Sequence, residues 1–299
     1  MSEFEAITLT DRSSSLTATV VPRAGMVVTS LADGDDEFLG QRRGLDAYVT
    51  AGKTMGIPIL YPWANRLSDS SYEVGGTYVA LVAGANGVRV DGQAPIHGVL
   101  AAYPGWLVTE RSEDSLTAVL DYGGTPRLLA SFPFPHLLIQ RVSLADRTLT
   151  VETTIRPTTW AAVPLCFGYH PYFRLPGVPR ADWVLETPTM RHLAVDEQGI
   201  PTGSSSEWTA PSEPLGETTY DDGFDSVPEG ARFAVSGGGR RVAITFVEGY
   251  PAAQIFAPGS DDVVAIEPMS APTDALRQGT YRYAAAGSPA TARFTIEVT

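Results

Sequence analysis

Three stretches of the chain set polar or ionisable side chains among apolar and turn-forming neighbours, the setting in which burial shifts proton affinities. The first is Pro58-Ile59-Leu60-Tyr61-Pro62-Trp63-Ala64-Asn65-Arg66-Leu67, followed further on by Pro95-Ile96-His97-Gly98. The second is Leu165-Cys166-Phe167-Gly168-Tyr169-His170-Pro171-Tyr172-Phe173, and the third is Val263-Val264-Ala265-Ile266-Glu267-Pro268-Met269-Ser270-Ala271-Pro272. Glu267 closes a four-residue apolar strand, where a carboxylate without a partner is desolvated and becomes a better proton acceptor at neutral pH. Its alternative role is structural, paired with an arginine. His170 stands among Tyr169, Pro171, Tyr172 and Phe173, and it is either a proton-transfer group or a core histidine bonded to backbone. The same pair of readings holds for His97 ahead of Gly98, and Arg66 after Asn65 equally suits a loop anchor.

Other chemistries find less support. The four histidines (His97, His136, His170 and His192) include no H-x-x-x-H or H-x-H pair, so no metal and no other cofactor is expected. No G-x-S-x-G elbow exists, and the single Cys166 lies in an apolar strand where a thiol packs inertly. The run Ser236-Gly237-Gly238-Gly239-Arg240 lacks a G-K-[ST] ending and a following helix, which makes it a hairpin turn rather than a phosphate loop.

The elements that must hold these groups are strands. Among 299 residues, 29 Gly and 23 Pro interrupt the chain too often for a helical bundle, while 43% hydrophobic residues supply a sizeable core. Residues 16–22 alternate, Tyr72-Glu73-Val74 and 77–81 form a hairpin across Gly75-Gly76, and the stretch 292–298 alternates as a last strand. Further antiparallel pairs are 105–110 with 115–122, 136–144 with 148–155, and 231–236 with 241–247. Helical signals are brief, near 43–50 and 271–277, and the polar stretch 196–223 reads as a long loop. The pattern predicts an antiparallel all-β chain, a sandwich or a barrel, forming one domain over residues 1–299. A net charge of −13 without a basic run argues against nucleic acid and anionic membranes as partners. One cysteine, an acidic Met1-Ser2-Glu3-Phe4-Glu5 start and no 18-residue apolar run suit a soluble, cytoplasmic protein.

Taken together the motifs are more specific than any one of them. Asn65-Arg66, His97-Gly98, His170-Pro171-Tyr172-Phe173 and Glu267-Pro268, with Ala271-Pro272 and Asp274-Ala275-Leu276, resemble the aldose 1-epimerase (galactose mutarotase) family in order and spacing, over about residues 10 to 298. One segment departs: after His-Gly the family usually continues Phe, Ala, Arg, whereas this chain has Val99-Leu100-Ala101-Ala102. The resemblance implies an all-β fold, the large antiparallel β-sandwich of galactose mutarotase-like proteins, with Glu267 as general base, His170 as general acid, His97 at the ring oxygen and Arg66 beside Asn65 on sugar hydroxyls. It also implies an aspartate in a segment Asp-x-x-Phe, which Asp221-Asp222-Gly223-Phe224 matches with Asp221 in register and Asp222 and Asp225 as neighbouring alternatives.

The expected activity is interconversion of α and β anomers of a free aldohexose by acid–base ring opening, with Tyr172, Trp63 and Phe173 packing on the apolar sugar face. The alternatives are a hexose-6-phosphate 1-epimerase of the same fold, with Arg174 as a candidate phosphate ligand, and a sugar-binding module without turnover. The expected partner is a small-molecule sugar, and the expected state a monomer or homodimer.

Overall fold

The computed structural model describes residues 4–299, so Met1, Ser2 and Glu3 of the acidic start lie outside the described residues. Two large sheets carry most of the chain. In the first, eight antiparallel strands follow the spatial order Leu107–Arg111, Ser115–Asp121, His136–Ala145, Thr148–Pro157, Ala290–Val298, Arg240–Glu248, Ala231–Gly237 and Val184–Glu186. The second runs Pro201–Trp208, Met190–Val195, Tyr220–Asp225, Ala252–Ala257, Val264–Met269, Gly168–Tyr169 and Ile59–Leu60, with Tyr172–Phe173 also pairing onto Val264–Met269. A smaller sheet is formed by Ile7–Thr10, Leu16–Val21, Val27–Asp33 and Asp36–Glu37.

The two large sheets pack through alternate residues, as the period of two requires. Tyr169 from the second sheet meets Phe294 of the first edge-on at 5.1 Å, and its hydroxyl is 2.6 Å from Thr153 Oγ1. Val151, Ile244, Phe246 and Ile296 join Ile255 and Ile266 in one buried core. The all-β sandwich expectation is therefore met, and so are the hairpins. Ser71–Val74 pairs with Thr77–Ala80 across Gly75 and Gly76, whose φ of 57° and 78° only glycine adopts without strain. His136–Ala145 pairs with Thr148–Pro157 over ten residue pairs, Ala231–Gly237 pairs with Arg240–Glu248, and short helices occupy Gly44–Ala51 and Ala275–Gln278. No helix among the described residues is long and apolar enough to cross a membrane.

One reading needs correction. The stretch 196–223 is not a single long loop, because it contains the strand Pro201–Trp208, paired with Met190–Val195, and the start of Tyr220–Asp225. Pro201–Trp208 is the sheet's edge, exposed along nearly its whole length, so neither face selects apolar residues and no alternation marks it.

Two buried groups outside the site contribute to the response to acid. Asp11 accepts bonds from Ser13, Ser14 and the backbone N–H groups of Asp146 and Arg147, which pins the hairpin turn at 146–147; these bonds, led by that from the Ser14 hydroxyl, hold its carboxyl far below the usual range. His136, stacked on Tyr122 and bonded to the Tyr61 hydroxyl, is pushed down to about 4, chiefly by burial. A histidine with a lowered folded pKa is protonated first in the unfolded chain, so stability falls as pH drops below about 6.5. A carboxylate with a lowered folded pKa adds stability above about 4 that is lost as pH falls further. Thermal melts across pH are expected to show both steps, with Asp11→Asn lowering Tm at neutral pH and shrinking the second step, to which Asp33 and Glu186, also held low, still contribute.

Candidate active site

Strand register decides which side chains meet. Directly paired residues on neighbouring strands point to the same side of a sheet. Tyr172 pairs with Ala265, Ala265 with Phe256, and Phe256 with Asp221, giving one row across the second sheet. The next row on that face is Glu267, Gln254 and Gly223. The opposite face, with Val264, Ile266 and Ile255, belongs to the core. Loops from distant parts of the chain wall in the open face, and the result is a cavity of about 190 Å³ lined by Arg42, Thr54, Asn65, Arg66, Ile96, His97, His170, Tyr172, Asp221, Gln254, Phe256 and Glu267.

Glu267 and His170 form its floor. Glu267 is only 2% exposed, and its Oε1 lies 3.1 Å from His170 Nε2, while Oε2 has no partner. Burial drives the carboxyl well above its usual range, the negative charge of Asp221 adds to this, and Arg66 opposes it. His170 is placed by the backbone bond from its N–H to the Pro58 carbonyl and by stacking on Tyr172, with ring centroids 4.2 Å apart. Burial, then the neighbouring His97 and the Arg42 charge, push its imidazole well below the usual range. Both shifts oppose net charge, so the pair holds one proton between them. Neither the arginine-paired Glu267 nor the backbone-bonded His170 ring is what the structure contains: the two bind each other, and His170 Nδ1 has no partner.

His97 is half-buried and meets His170 edge-on, with ring centroids 5.7 Å apart. Burial, with the cations Arg89 and Arg66, keeps its imidazole below the usual range, partly offset by Asp91. Its position depends on Gly98, whose φ is 66° and where a Cβ would lie 2.0 Å from the Tyr61 carbonyl oxygen, so only glycine lets the segment approach Tyr61. In the departing segment, Val99 and Leu100 are buried and contribute no side chain to the cavity.

Arg66 donates to Asp91 Oδ2 from Nη2 at 2.6 Å and to Asn65 Oδ1 from Nη1 at 3.2 Å, so it is both a loop anchor and a cavity wall. Among the three aspartates, Asp221 faces the cavity and accepts from Gln254 Nε2 at 2.8 Å. Asp222 points the other way, to His192 Nε2 at 2.8 Å, and Asp225 pairs with Arg191.

Trp63 and Phe173 do not line the cavity. Both are buried in the main core, and Phe173 pairs with Val264, which faces the sandwich interior. The aromatic ring that does line it, besides Tyr172, is Phe256. Arg42, Thr54 and Gln254 also went unassigned in the sequence reading. Gln254 carried a usable signal, a lone amide inside the apolar run Ala252-Ala253-Gln254-Ile255-Phe256. Among the described residues, no three His, Cys, Asp or Glu side chains are grouped so as to hold a metal ion.

With this geometry the class is defined by the fold: a galactose mutarotase-like sandwich. A galactose mutarotase-like protein from Clostridium acetobutylicum superposes with a TM-score of 0.84 at 16% identity, covering 100% of this chain and 96% of that one. An aldose epimerase homologue from C. elegans gives 0.76 at 18% identity, and galactose 1-epimerase from Lactobacillus acidophilus NCFM gives 0.76 at 13%, each covering 99% of both chains. At these identities the likeness establishes the fold alone. Comparison with curated proteins finds no significant match. The family model for aldose 1-epimerase matches residues 5–292, and the chain belongs to that family.

Proposed function

We propose that the protein interconverts the α and β anomers of a free, unphosphorylated aldohexose, with Glu267 as the base at O1 and His170 as the acid at the ring oxygen. The observation that carries this reading is the 3.1 Å contact between Oε1 and Nε2 on the floor of the cavity. O1 and O5 are bonded to the same carbon, so the two groups that serve them must sit side by side, as these do. Burial leaves the shared proton on Glu267, so it first passes to His170 Nε2 across the 3.1 Å contact. Glu267 then takes the O1 proton while His170 gives its proton to O5, the C1–O5 bond breaks, and the open aldehyde forms. The pair still holds one proton, now on the carboxyl. Rotation about C1–C2 presents the other carbonyl face, O5 attacks, and the proton returns to His170 as Glu267 reprotonates O1. No solvent proton is needed, which suits a pair that burial holds at zero net charge. Asn65, Arg66, Asp221 and Gln254 offer donors and acceptors for hydroxyls, and Phe256 offers an apolar face.

Charge supports a neutral substrate. Each guanidinium at the cavity is already paired, Arg42 with Asp261 at 2.8 Å and Arg66 with Asp91 at 2.6 Å. Arg174, the candidate phosphate ligand, is exposed and does not line the cavity. A dianion would therefore enter a site in which both lining guanidinium groups among the described residues are already paired, on a chain of net charge −13. Polarimetry or NMR exchange on free aldoses and their 6-phosphates is expected to show kcat/KM for glucose or galactose at least about tenfold above that for glucose 6-phosphate. Arg174→Ala should leave that ratio unchanged. A preference for the phosphate, lost in Arg174→Ala, would make the enzyme a hexose-6-phosphate epimerase instead, and binding without any exchange would make it a sugar-binding module.

A further inference from the structure

We propose that Arg42 is a positioning residue for the acid: together with Thr54 it fixes the Tyr172 hydroxyl, and Tyr172 fixes the imidazole of His170. The inference rests on the reading of His170 as a proton-transfer group.

A histidine that moves protons is ordinarily oriented through its non-reacting nitrogen, held by a carbonyl or carboxylate. Here no described residue supplies that hold, since the buried Nδ1 of His170 has no partner among them. Its ring is gripped from the reacting side instead. Tyr172 lies flat against it, with 20° between the planes, and the Tyr172 hydroxyl is 3.2 Å from Nε2. His97 and Phe256 meet the ring edge-on and supply shape without a hydrogen bond.

Tyr172 can orient His170 only if it is itself held, and its hydroxyl is. Arg42 Nη1 donates to it at 2.9 Å, and Thr54 Oγ1 lies 2.7 Å away. Arg42 is anchored in turn by Asp261 at 2.8 Å, and its guanidinium lies 4.9 Å from the centre of the Tyr172 ring. The Gly40 N–H donates to the Tyr172 carbonyl at 2.8 Å, tying the segment that carries Arg42 to the strand that carries Tyr172.

The arrangement also suits a nitrogen that gains and loses a proton. A phenol has one proton and two lone pairs, and Arg42, which can only donate, occupies one lone pair. When Nε2 carries a proton, that proton is left to Glu267 or the ring oxygen while the phenol proton turns to Thr54. When Nε2 is bare, the phenol proton can turn to it while the Thr54 hydroxyl donates. Only two hydroxyl rotors need to move, and the rings stay in place.

The test uses Tyr172→Phe, Arg42→Met and Arg42→Lys in the full chain. Anomer exchange is measured on the best free aldose, and the His170 ring nitrogens are followed by ¹⁵N NMR, assigned by the signal lost in His170→Asn. Tyr172→Phe and Arg42→Met are expected to lower kcat by about 10- to 100-fold, with KM changed less than about threefold, as for a misplaced catalytic group. Both should alter the His170 ring signals. Arg42→Lys, which restores one donor and the charge, should recover most of both. Wild-type kcat and unchanged ring signals in Tyr172→Phe would overturn the proposal, as would a loss confined to KM. Tyr172→Phe removes one oxygen from a packed ring, so it decides the matter if Arg42→Met does not fold. If wild type exchanges no free aldose, the functional reading fails while the ring signals still answer for the positioning role.

Discussion

Glu267→Gln is expected to lower kcat for anomer exchange by at least ~10²-fold while leaving KM and the fold nearly intact. The substitution keeps the volume and one acceptor oxygen but cannot take a proton from O1. The carboxyl reaches only His170, through Oε1, and its second oxygen is unpartnered, so the change breaks no structural ion pair. It also removes a buried ionisable group, which makes stability equal to or above that of wild type the expected melting result. Turnover near the wild-type rate in a folded variant would remove Glu267 from the reaction and with it the proton cycle proposed above.

The second large effect is at the acid, where two histidines compete for the assignment. His170→Asn keeps a donor but cannot deliver a proton, so kcat should collapse by ~10²- to 10⁴-fold. His97→Asn should cost less. His170 Nε2 touches the Glu267 carboxyl directly, whereas the contact of His97 with the pair is an edge-on approach to the His170 ring at 5.7 Å. His97, half-buried on the cavity wall and with its ring edge-on to His170 rather than on the carboxyl, suits a hydrogen bond to the ring oxygen better than proton delivery. Steady-state kinetics of both variants on one aldose rank them. A larger kcat loss in His97→Asn would exchange the two roles.

What the sequence makes legible here, and what it does not, follows from strand geometry. Glu267 and His170 stand out because each is a polar residue within apolar strand sequence, where burial makes it conspicuous. Asp221 could be narrowed to a group of three but not chosen without the register, which turns Asp222 to the opposite face. Trp63 and Phe173 looked as suitable for a sugar face as Tyr172. Adjacent residues on a strand point to opposite sides, however, so Tyr172 and Phe173 cannot both face the cavity, and pairing with Val264 sends Phe173 inward. Arg42 and Thr54 carried no signal at all, because they come from turn-rich segments and reach Tyr172 across 130 and 118 residues of chain. The strand Pro201–Trp208 was hidden for the opposite reason, being exposed on both faces and free of any hydrophobic rhythm.

The placement of Ala290–Val298 between Thr148–Pro157 and Arg240–Glu248 has a consequence for how the molecule comes into being. Until residue 298 has left the ribosome, the first sheet is two separate flaps, each with an open edge rich in Val, Ile and Thr. The Tyr169 ring, one residue from the acid, then lacks Phe294, the aromatic side chain it packs against from that strand. The core therefore cannot close until that strand has emerged and paired, and the site cannot be complete before it does. Sequence-distant pairing of this kind is slow, on the order of milliseconds to seconds. Nascent chains stalled short of residue 290 should bind a hydrophobic dye and be cut readily by protease, and chains released after residue 298 should lose both properties as the flaps join.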